Sequence, residues 1–157
     1  MSKNSTNGQD IIEDRYDIKV LCQADINLGP RTITSTSTKQ PITVTVGVYD
    51  AGNNEIMFPS KGYYQIHFEI KADYDNVLAN WVRMRLYNSF TSSFIDNVKY
   101  HQTGGGDSLP YGSVTFYHWC NDTRDRIQVY MESLGGSVTN FSFLQNSRVV
   151  RLLNYGF

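Results

Sequence analysis

The sequence contains few cysteines and few charged residues. Only two of its 157 residues are cysteines, Cys22 and Cys120, and 18% are charged. Two cysteines build no disulfide framework, and their spacing fits no zinc pattern, so we expect no metal site and two buried free thiols, with a single disulfide as the alternative. Fourteen Lys and Arg balance fifteen Asp and Glu, which argues against a partner bound through bulk positive charge, such as nucleic acid. The small share of charge is a mild indication of oligomerisation.

The sequence also lacks long apolar runs. Residues 1–9 contain no apolar segment typical of a secretory signal, and no run of about 18 apolar residues exists. We therefore expect no export by a signal peptide and no membrane insertion. Residues 1–14 are polar and mixed in charge, which predicts a flexible N-terminal arm or attachment segment before one folded domain over residues 15–157.

The two-residue period of half-buried β-strands is abundant. It is strongest in residues 62–71, where apolar and polar side chains alternate throughout. The same alternation recurs in residues 42–49, 82–87, 112–120 and 125–132. Residues 148–155 are more continuously apolar, which is typical of a strand covered on both faces. Residues 16–22 are a further candidate strand, and the Thr-rich and Ser-rich residues 32–38 suit an exposed loop or an edge strand.

Turn signals separate these runs and define the fold class. Clusters of Gly, Asn, Asp, Pro and Ser stand at residues 50–54, 59–62, 104–107 and 134–137. No long segment has a convincing helical period. Roughly seven to ten short strands joined by such turns predict an all-β fold, a jelly-roll β-sandwich of two antiparallel sheets.

Three blocks of sequence carry a more specific signal. The first joins residues 48–50 (VYD) and 56–59 (IMFP) to residues 62–66 (GYYQI). The other two join residues 112–114 (GSV) to 125–129 (DRIQV), and 142–144 (SFL) to 152–153 (LL). These blocks resemble the C1q/TNF-like jelly-roll superfamily, which includes the trimeric head domains of viral and phage fibres and spikes, and the resemblance covers residues 42–155.

Individual residues of these blocks have clear physical roles. Gly62 permits a close approach of the chain that enters the sheet. Tyr64 is expected to bury its ring while its hydroxyl finds a hydrogen-bond partner. Asp125 is expected at a turn, where it bonds its own backbone.

The resemblance implies a homotrimer that packs through aromatic and aliphatic residues of one sheet. The chain departs from the family at residues 121–124 (NDTR), which lengthen a turn that is usually a tight Gly-Asp. It also shows neither a collagen-like stalk nor a secretion signal. These departures favour a viral or phage protein over a secreted animal ligand: made in the host cytoplasm, located in the virion and attached to other virion proteins by its N-terminal arm.

Large aromatic side chains mark the first candidate surface. The chain has 11 Tyr and 8 Phe, and several rings fall opposite the apolar strand faces or near the chain end, which indicates a partner surface. From the resemblance we expect the trimer interface to include residues among Tyr63, Tyr117, Trp119 and Tyr155.

A second candidate surface combines arginine with aromatic residues. Four residues share one strand face, namely Trp81, Arg83, Arg85 and Tyr87. Stacking and cation–π contacts would suit an anion or a sugar there. A solvated outer face and an inter-subunit surface are the alternatives.

The sequence predicts no catalytic residues. His67, His101 and His118 lie far apart and outside any metal or nucleophile motif, so each is interpreted as structural. The glycine-rich residues 104–108 lack the ending of a phosphate-binding loop and suit a surface loop. Calcium is the one candidate cofactor, because oxygen ligands could come from Asp73, Asp75, Asp122 and Asp125, although turn-forming aspartates explain these positions better.

The leading prediction is a non-enzymatic, trimeric virion protein. It would be the head of a fibre, spike or capsid-decoration protein that binds a host receptor or glycan, or stabilises the shell. A cellular C1q/TNF-like ligand module and a carbohydrate-binding module are the alternatives. A capsid protein that encloses a genome is disfavoured, because Lys3 and Arg15 are the only basic residues among the first 15.

Overall fold

The alternating segments form antiparallel β-strands. A computed structural model describes residues 20–45, 54–71, 80–103, 111–135 and 137–152, which contain eleven strands. In chain order these are β1 (Val20–Asn27), β2 (Arg31–Ile33), β3 (Thr38–Lys39), β4 (Thr43–Thr45), β5 (Gly62–Lys71), β6 (Asn80–Asn88), β7 (Ser93–Thr103), β8 (Tyr111–Cys120), β9 (Ile127–Leu134), β10 (Val138–Phe143) and β11 (Arg148–Leu152).

The strands build two antiparallel sheets. The first has the order β4-β1-β11-β5-β8, and β10 joins it by pairing with β5 and with β2. The second has the order β3-β9-β6-β7. The chain changes sheet after β2, β3, β5, β7, β8 and β9, and such repeated crossing between two sheets is the winding of a jelly roll. The prediction of an all-β jelly-roll sandwich is confirmed. Among the described residues no helix has the length and apolarity needed to cross a bilayer.

The inner face of β5 lies at the centre of the core. Tyr64, Ile66, Phe68 and Ile70 are fully buried, and every residue between them is partly exposed. The facing sheet supplies Val82, Met84 and Leu86 from β6 and Ile127, Val129 and Met131 from β9. Burying each such side chain contributes about 1.5–3 kcal/mol relative to leaving it in water. The two-residue period therefore decides which face of each strand meets the other sheet.

Most predicted strands are confirmed. Residues 62–71, 82–87 and 112–120 lie in β5, β6 and β8, and the strand predicted at residues 125–132 begins at Ile127. In β11, Val149, Val150 and Leu152 are all buried, as expected of a strand covered on both faces. Residues 32–38 contribute to the short strands β2 and β3, the latter at the edge of its sheet.

Two strands differ from the prediction. Of residues 42–49, the described part forms only the short β4, with Ile42 and Val44 buried. The first strand, predicted at residues 16–22, continues to Asn27. Ile26 is buried while Asp25 and Asn27 are exposed, so the alternation continues, but Asp and Asn are residues that strands seldom contain. Residues 1–19, 46–53, 72–79, 104–110, 136 and 153–157 lie outside the described residues, and with them the predicted arm and the glycine-rich segment.

Strand β7 was not predicted from the sequence, and it contains a bulge. Met84 of β6 pairs with Lys99 of β7, and Leu86 of β6 pairs with Ile95 of β7. Residues 96–98 of β7 therefore lie opposite a single residue of β6, which makes a bulge. Asp96 in this bulge has a φ of 52°. Lys99 and His101 occupy inward positions, with the Lys99 Nζ atom 5.6 Å from the ring centre of Phe116. Polar residues on the inner face erase the apolar alternation.

Asp96 also links the two sheets. Among the described strands, β8 pairs with β5 alone and so forms an edge of its sheet. The backbone N–H of Tyr117 in β8 donates a hydrogen bond to Asp96 Oδ2 at 2.9 Å. The other carboxylate oxygen accepts the N–H of Asn97 at 2.7 Å. The bulge of β7 thus supplies a side-chain acceptor to the edge of β8.

The segment that leads into β5 has the two features predicted for Gly62 and Tyr64. The Tyr64 ring is buried, and its hydroxyl donates to the backbone oxygen of Ser60 at 2.7 Å. Gly62 has a φ of 153°, and a Cβ atom there would lie 2.6 Å from Nε of Arg151. Both predictions for this segment are confirmed.

The contact between Gly112 and His101 leads to a testable prediction. A Cβ atom at Gly112 would lie 2.2 Å from Cε1 of His101. The Nε2 atom of His101 is buried and has no hydrogen-bond partner among the described residues, and this burial lowers the pKa of the ring. A buried ring has little room to move away from an added methyl group. We expect Gly112→Ala to lower the free energy of unfolding by about 1–3 kcal/mol in denaturant titrations. In a His101→Ala background the same change should cost less by at least about 0.5 kcal/mol; additive losses would contradict this steric explanation.

Candidate functional site

Three aromatic rings cluster on the outer face of the first sheet. Tyr63 of β5 lies directly opposite Trp119 of β8, and Gln65 lies opposite Tyr117. The Tyr63 ring centre is 5.8 Å from that of Tyr117 and 6.1 Å from that of Trp119. The side-chain amide of Gln65 donates to the Tyr117 hydroxyl at 3.3 Å. Tyr63, Tyr117 and Trp119 are called the β8 patch below.

The β8 patch is apolar and open to solvent. Tyr117 and Trp119 are 42% and 48% exposed. Val150 and Leu152 of β11 share the outer face, because they lie opposite Gln65 and Tyr63, and both are buried. The patch is therefore the exposed part of a broader apolar area across β8, β5 and β11.

The other half of this outer face is polar and internally bonded. His67 Nδ1 is 2.7 Å from the Thr115 hydroxyl, and its Nε2 is 2.6 Å from Glu69 Oε2. These bonds use both ring nitrogens, in keeping with the structural role predicted for His67. Of the four residues predicted for a trimer interface, the structure brings three together, and Tyr155 lies outside the described residues. Their role in a trimer stays a prediction.

The second sheet presents the arginine-containing face. Trp81, Arg83, Arg85 and Tyr87 all point outward from β6, since Val82, Met84 and Leu86 between them are buried. Arg83 forms an ion pair with Glu132 of β9. The guanidinium carbon of Arg85 lies 3.6 Å from the ring centre of Phe94, a close cation–π contact. The structure thus places all four residues on one surface, here called the β6 face.

Further aromatic rings extend the β6 face. Tyr87 packs against Phe94 at 5.0 Å and against Tyr130 at 5.9 Å, while Trp81 meets Tyr100 at 6.4 Å. A shallow cavity of about 350 Å³ opens between Arg83, Arg85 and residues 94–98. An anion or a hydroxyl-rich ligand would meet the guanidinium of Arg85 and the aromatic edge of Phe94 in this cavity.

A third group of polar residues lies at one end of the core. His118 and Cys120 lie next to each other on the inner face of β8, because they are two residues apart. Asp125, in the turn that follows β8, lies beside them. His118 Nε2 is 2.7 Å from Asp125 Oδ2, and the Cys120 thiol donates to the backbone oxygen of Asp122 at 3.3 Å. The prediction that Asp125 bonds its own backbone is wrong for its carboxylate. Asp122 makes that turn bond instead, accepting the N–H of Arg124 at 2.9 Å.

The Cys120 thiol is not an activated nucleophile. It is a buried free thiol, as predicted, and burial followed by the charge of Asp125 raises its pKa to about 11. A reactive cysteine needs the opposite, an accessible thiol with a lowered pKa. The proximity of a histidine and a carboxylate therefore does not make this group a nucleophilic triad.

The turn that follows β8 has its own ion pair. Two hydrogen bonds from the Arg124 guanidinium reach Asp122, at 3.1 and 2.8 Å, and the side-chain bond with Arg124 lowers the pKa of Asp122 to about 2. Asp122 and Asp125 are thus engaged with Arg124 and His118. Asp73 and Asp75 lie outside the described residues, and the calcium expectation stays untested.

Comparisons with known proteins give a likeness in fold only. No protein-family model matches the chain, and no curated protein matches it. Among solved structures, the chain is similar to PRD1 vertex protein P5, with 14% sequence identity and a TM-score of 0.48. The match covers 85% of this chain and 98% of that chain. A similarity at this level assigns no function, so a function has to be inferred from the residues of the chain itself.

The environment of Cys120 predicts that its thiol reacts slowly with thiol reagents in the native protein. In a Cys22→Ser variant, which leaves Cys120 as the one cysteine, we expect the native protein at pH 8 to react with a thiol reagent at least about 100-fold more slowly than the unfolded chain. The reason is burial together with the raised pKa. Native and denatured rates within about tenfold of each other would contradict the buried, protonated state.

Proposed function

We propose that the protein is a non-enzymatic structural protein of a virion, with a jelly-roll domain that assembles as a homotrimer. The observation that supports the trimer is the β8 patch, in which the Tyr63 ring contacts both Tyr117 and Trp119 on the outer face of one sheet. The virion location is supported by the resemblance of residues 42–155 to fibre and spike head domains.

The β8 patch has the composition of an interface centre. Tyr and Trp are enriched at interface hot spots, because each ring buries a large area at a small cost in side-chain entropy. Here two rings are close to half exposed and lie beside Val150 and Leu152, which are already buried. A partner that covers the patch would bury its rings next to Val150 and Leu152, so the buried apolar area would become larger and continuous.

A second and a third copy of the chain are the partners that we favour. The resemblance implies three copies packed around a three-fold axis through aromatic and aliphatic residues of one sheet, and the β8 patch with Val150 and Leu152 is such a set. Cyclic symmetry brings the patch of each subunit to a neighbour without leaving an open end. The polar half of the face satisfies its own hydrogen bonds through His67, Thr115 and Glu69, so it can stay solvated.

The opposite sheet then remains free for recognition. The β6 face lies on the outer side of the second sheet, away from the β8 patch. A trimer built on the patch would display three copies of Arg85 and the cavity beside it toward solvent. We propose that this face binds a host receptor or glycan, while the N-terminal residues 1–14 attach the head to other virion proteins.

Solution mass tests the trimer. We expect light scattering on a size-exclusion column to give about three times the chain mass of 17.9 kDa. Tyr117→Ser combined with Trp119→Ser should shift the protein to monomer, because it removes the two most exposed rings of the patch. The variant should keep the far-ultraviolet circular dichroism of β-structure.

The matched control replaces two rings of similar exposure on the other sheet. Trp81 and Tyr100 are 42% and 47% exposed, and Trp81→Ser combined with Tyr100→Ser should leave the mass unchanged. A monomeric wild-type protein would overturn the trimer. A trimer that survives the change of the patch would place the interface on another surface.

A sugar-binding function is the second candidate, and the Arg85–Phe94 stack with its cavity favours it. On an array of neutral and acidic glycans we expect binding that falls about tenfold in Arg85→Gln, equal to about 1.4 kcal/mol. Arg124→Gln is the matched control, because Arg124 also stacks on a ring, that of Phe90 at 4.7 Å, but at a different place. Absence of glycan binding, or equal losses in both variants, would argue against this face as the site.

A further inference from the structure

His118, Cys120 and Asp125 bring three metal-ligating atoms together inside the fold. The imidazole nitrogen, the sulfur and a carboxylate oxygen all lie within 4.8 Å of one another. Strand alternation explains two of the three, because residues 118 and 120 of β8 point the same way. The turn of residues 121–126 supplies the third by folding Asp125 back over the strand.

The donor set is the one that zinc uses. Nitrogen from His, sulfur from Cys and oxygen from Asp are its three ordinary protein ligands, arranged as a tetrahedron. Bond lengths near 2.0–2.3 Å put neighbouring ligand atoms of a tetrahedral site roughly 3.3–3.8 Å apart. The His118–Asp125 contact of 2.7 Å would need to open by less than about 1 Å, which a side-chain rotation in a turn residue can provide. Alkaline-earth ions fit poorly, because they prefer oxygen ligands alone.

The surroundings suit a closed site. Cys120 is fully buried, and the side chains of Asp125 and His118 are 6% and 10% exposed. The Phe58 ring lies 5.2 Å from the His118 ring and covers one side. A divalent cation held by a neutral His, a thiolate and a carboxylate gives a locally neutral cluster, whereas a buried carboxylate alone is costly. Binding forms a sulfur–metal bond, breaks the S–H bond of Cys120 and releases that proton to solvent.

We propose that His118, Cys120 and Asp125 form a structural site for a divalent transition metal, zinc by preference. The ion would fix the turn between β8 and β9 to the end of the sandwich. The backbone oxygen of Asp122, which lies 3.3 Å from the sulfur of Cys120, or a water molecule can complete the coordination. The site does not depend on the proposed trimer or virion role, so either proposal can fail without the other.

Cobalt and zinc titrations of the reduced, chelator-treated protein test the site. We expect Co²⁺ to produce the near-ultraviolet charge-transfer absorption of a thiolate–cobalt bond, and Zn²⁺ to abolish it by displacement. A saturating excess of Zn²⁺ should raise the thermal midpoint by about 3–8 °C, whereas the same concentration of Mg²⁺ should not.

Variants locate the ligands. Cys120→Ser should remove the cobalt–thiolate absorption, and Asp125→Asn should weaken zinc binding at least about tenfold. Cys22→Ser controls for the other thiol. His67→Gln controls for a histidine–carboxylate pair that lacks a cysteine, since His67 contacts Glu69 at 2.6 Å. Both controls should bind as the wild type does.

The result that would overturn the site is an unaltered spectrum of the wild-type protein in Co²⁺. An absorption lost equally in Cys22→Ser would also overturn it. If Cys120→Ser does not fold, X-ray absorption spectroscopy of the zinc-loaded wild-type protein identifies the atoms bound to zinc. One sulfur and at least one imidazole nitrogen would support the site. A zinc coordination shell without sulfur would refute it.

Discussion

Burial of one face of the central strands against the opposite sheet is the constraint on which this molecule depends. In β5 it fixes Tyr64, Ile66, Phe68 and Ile70 toward the interior. Because side chains alternate, fixing one face also fixes the other, and residues 63, 65, 67 and 69 must point outward. The outer faces are then free to carry chemistry unrelated to folding, and both candidate surfaces lie there.

The same constraint explains how the outer faces divide their roles. On the first sheet the β8 patch leaves large rings uncovered while its polar neighbours bond one another. On the second sheet, Arg83 is neutralised by Glu132, whereas the Arg85 guanidinium is stacked on a ring and so keeps donors available. One face is therefore suited to apolar contact, and the other to a polar ligand.

The sequence predicts strands well where the inward positions are mostly apolar and the outward positions are polar or aromatic. That is true of β5, β6, β8 and β9. It fails for β7, because a bulge at Asp96 shifts the register and because Lys99 and His101 hold inward positions near an open edge. The outward clusters could be predicted from alternation alone, since residues two apart share a face. The approach of Asp125 to His118 and Cys120 could not, because it depends on the path of a turn, and at the sequence level Asp122 and Asp125 look equally suited to bond their own backbone.

The hydrogen bond from the Tyr117 amide to Asp96 has a consequence for how copies of the chain can meet. An edge strand normally offers free backbone groups that can template a foreign strand and lead to uncontrolled fibre growth. A negatively charged side chain already bonded to that rim occupies one donor and repels the backbone carbonyls of an incoming strand. Association by strand addition at the rim of β8 is therefore disfavoured, whereas contact through the outward side chains of β8 is left unhindered.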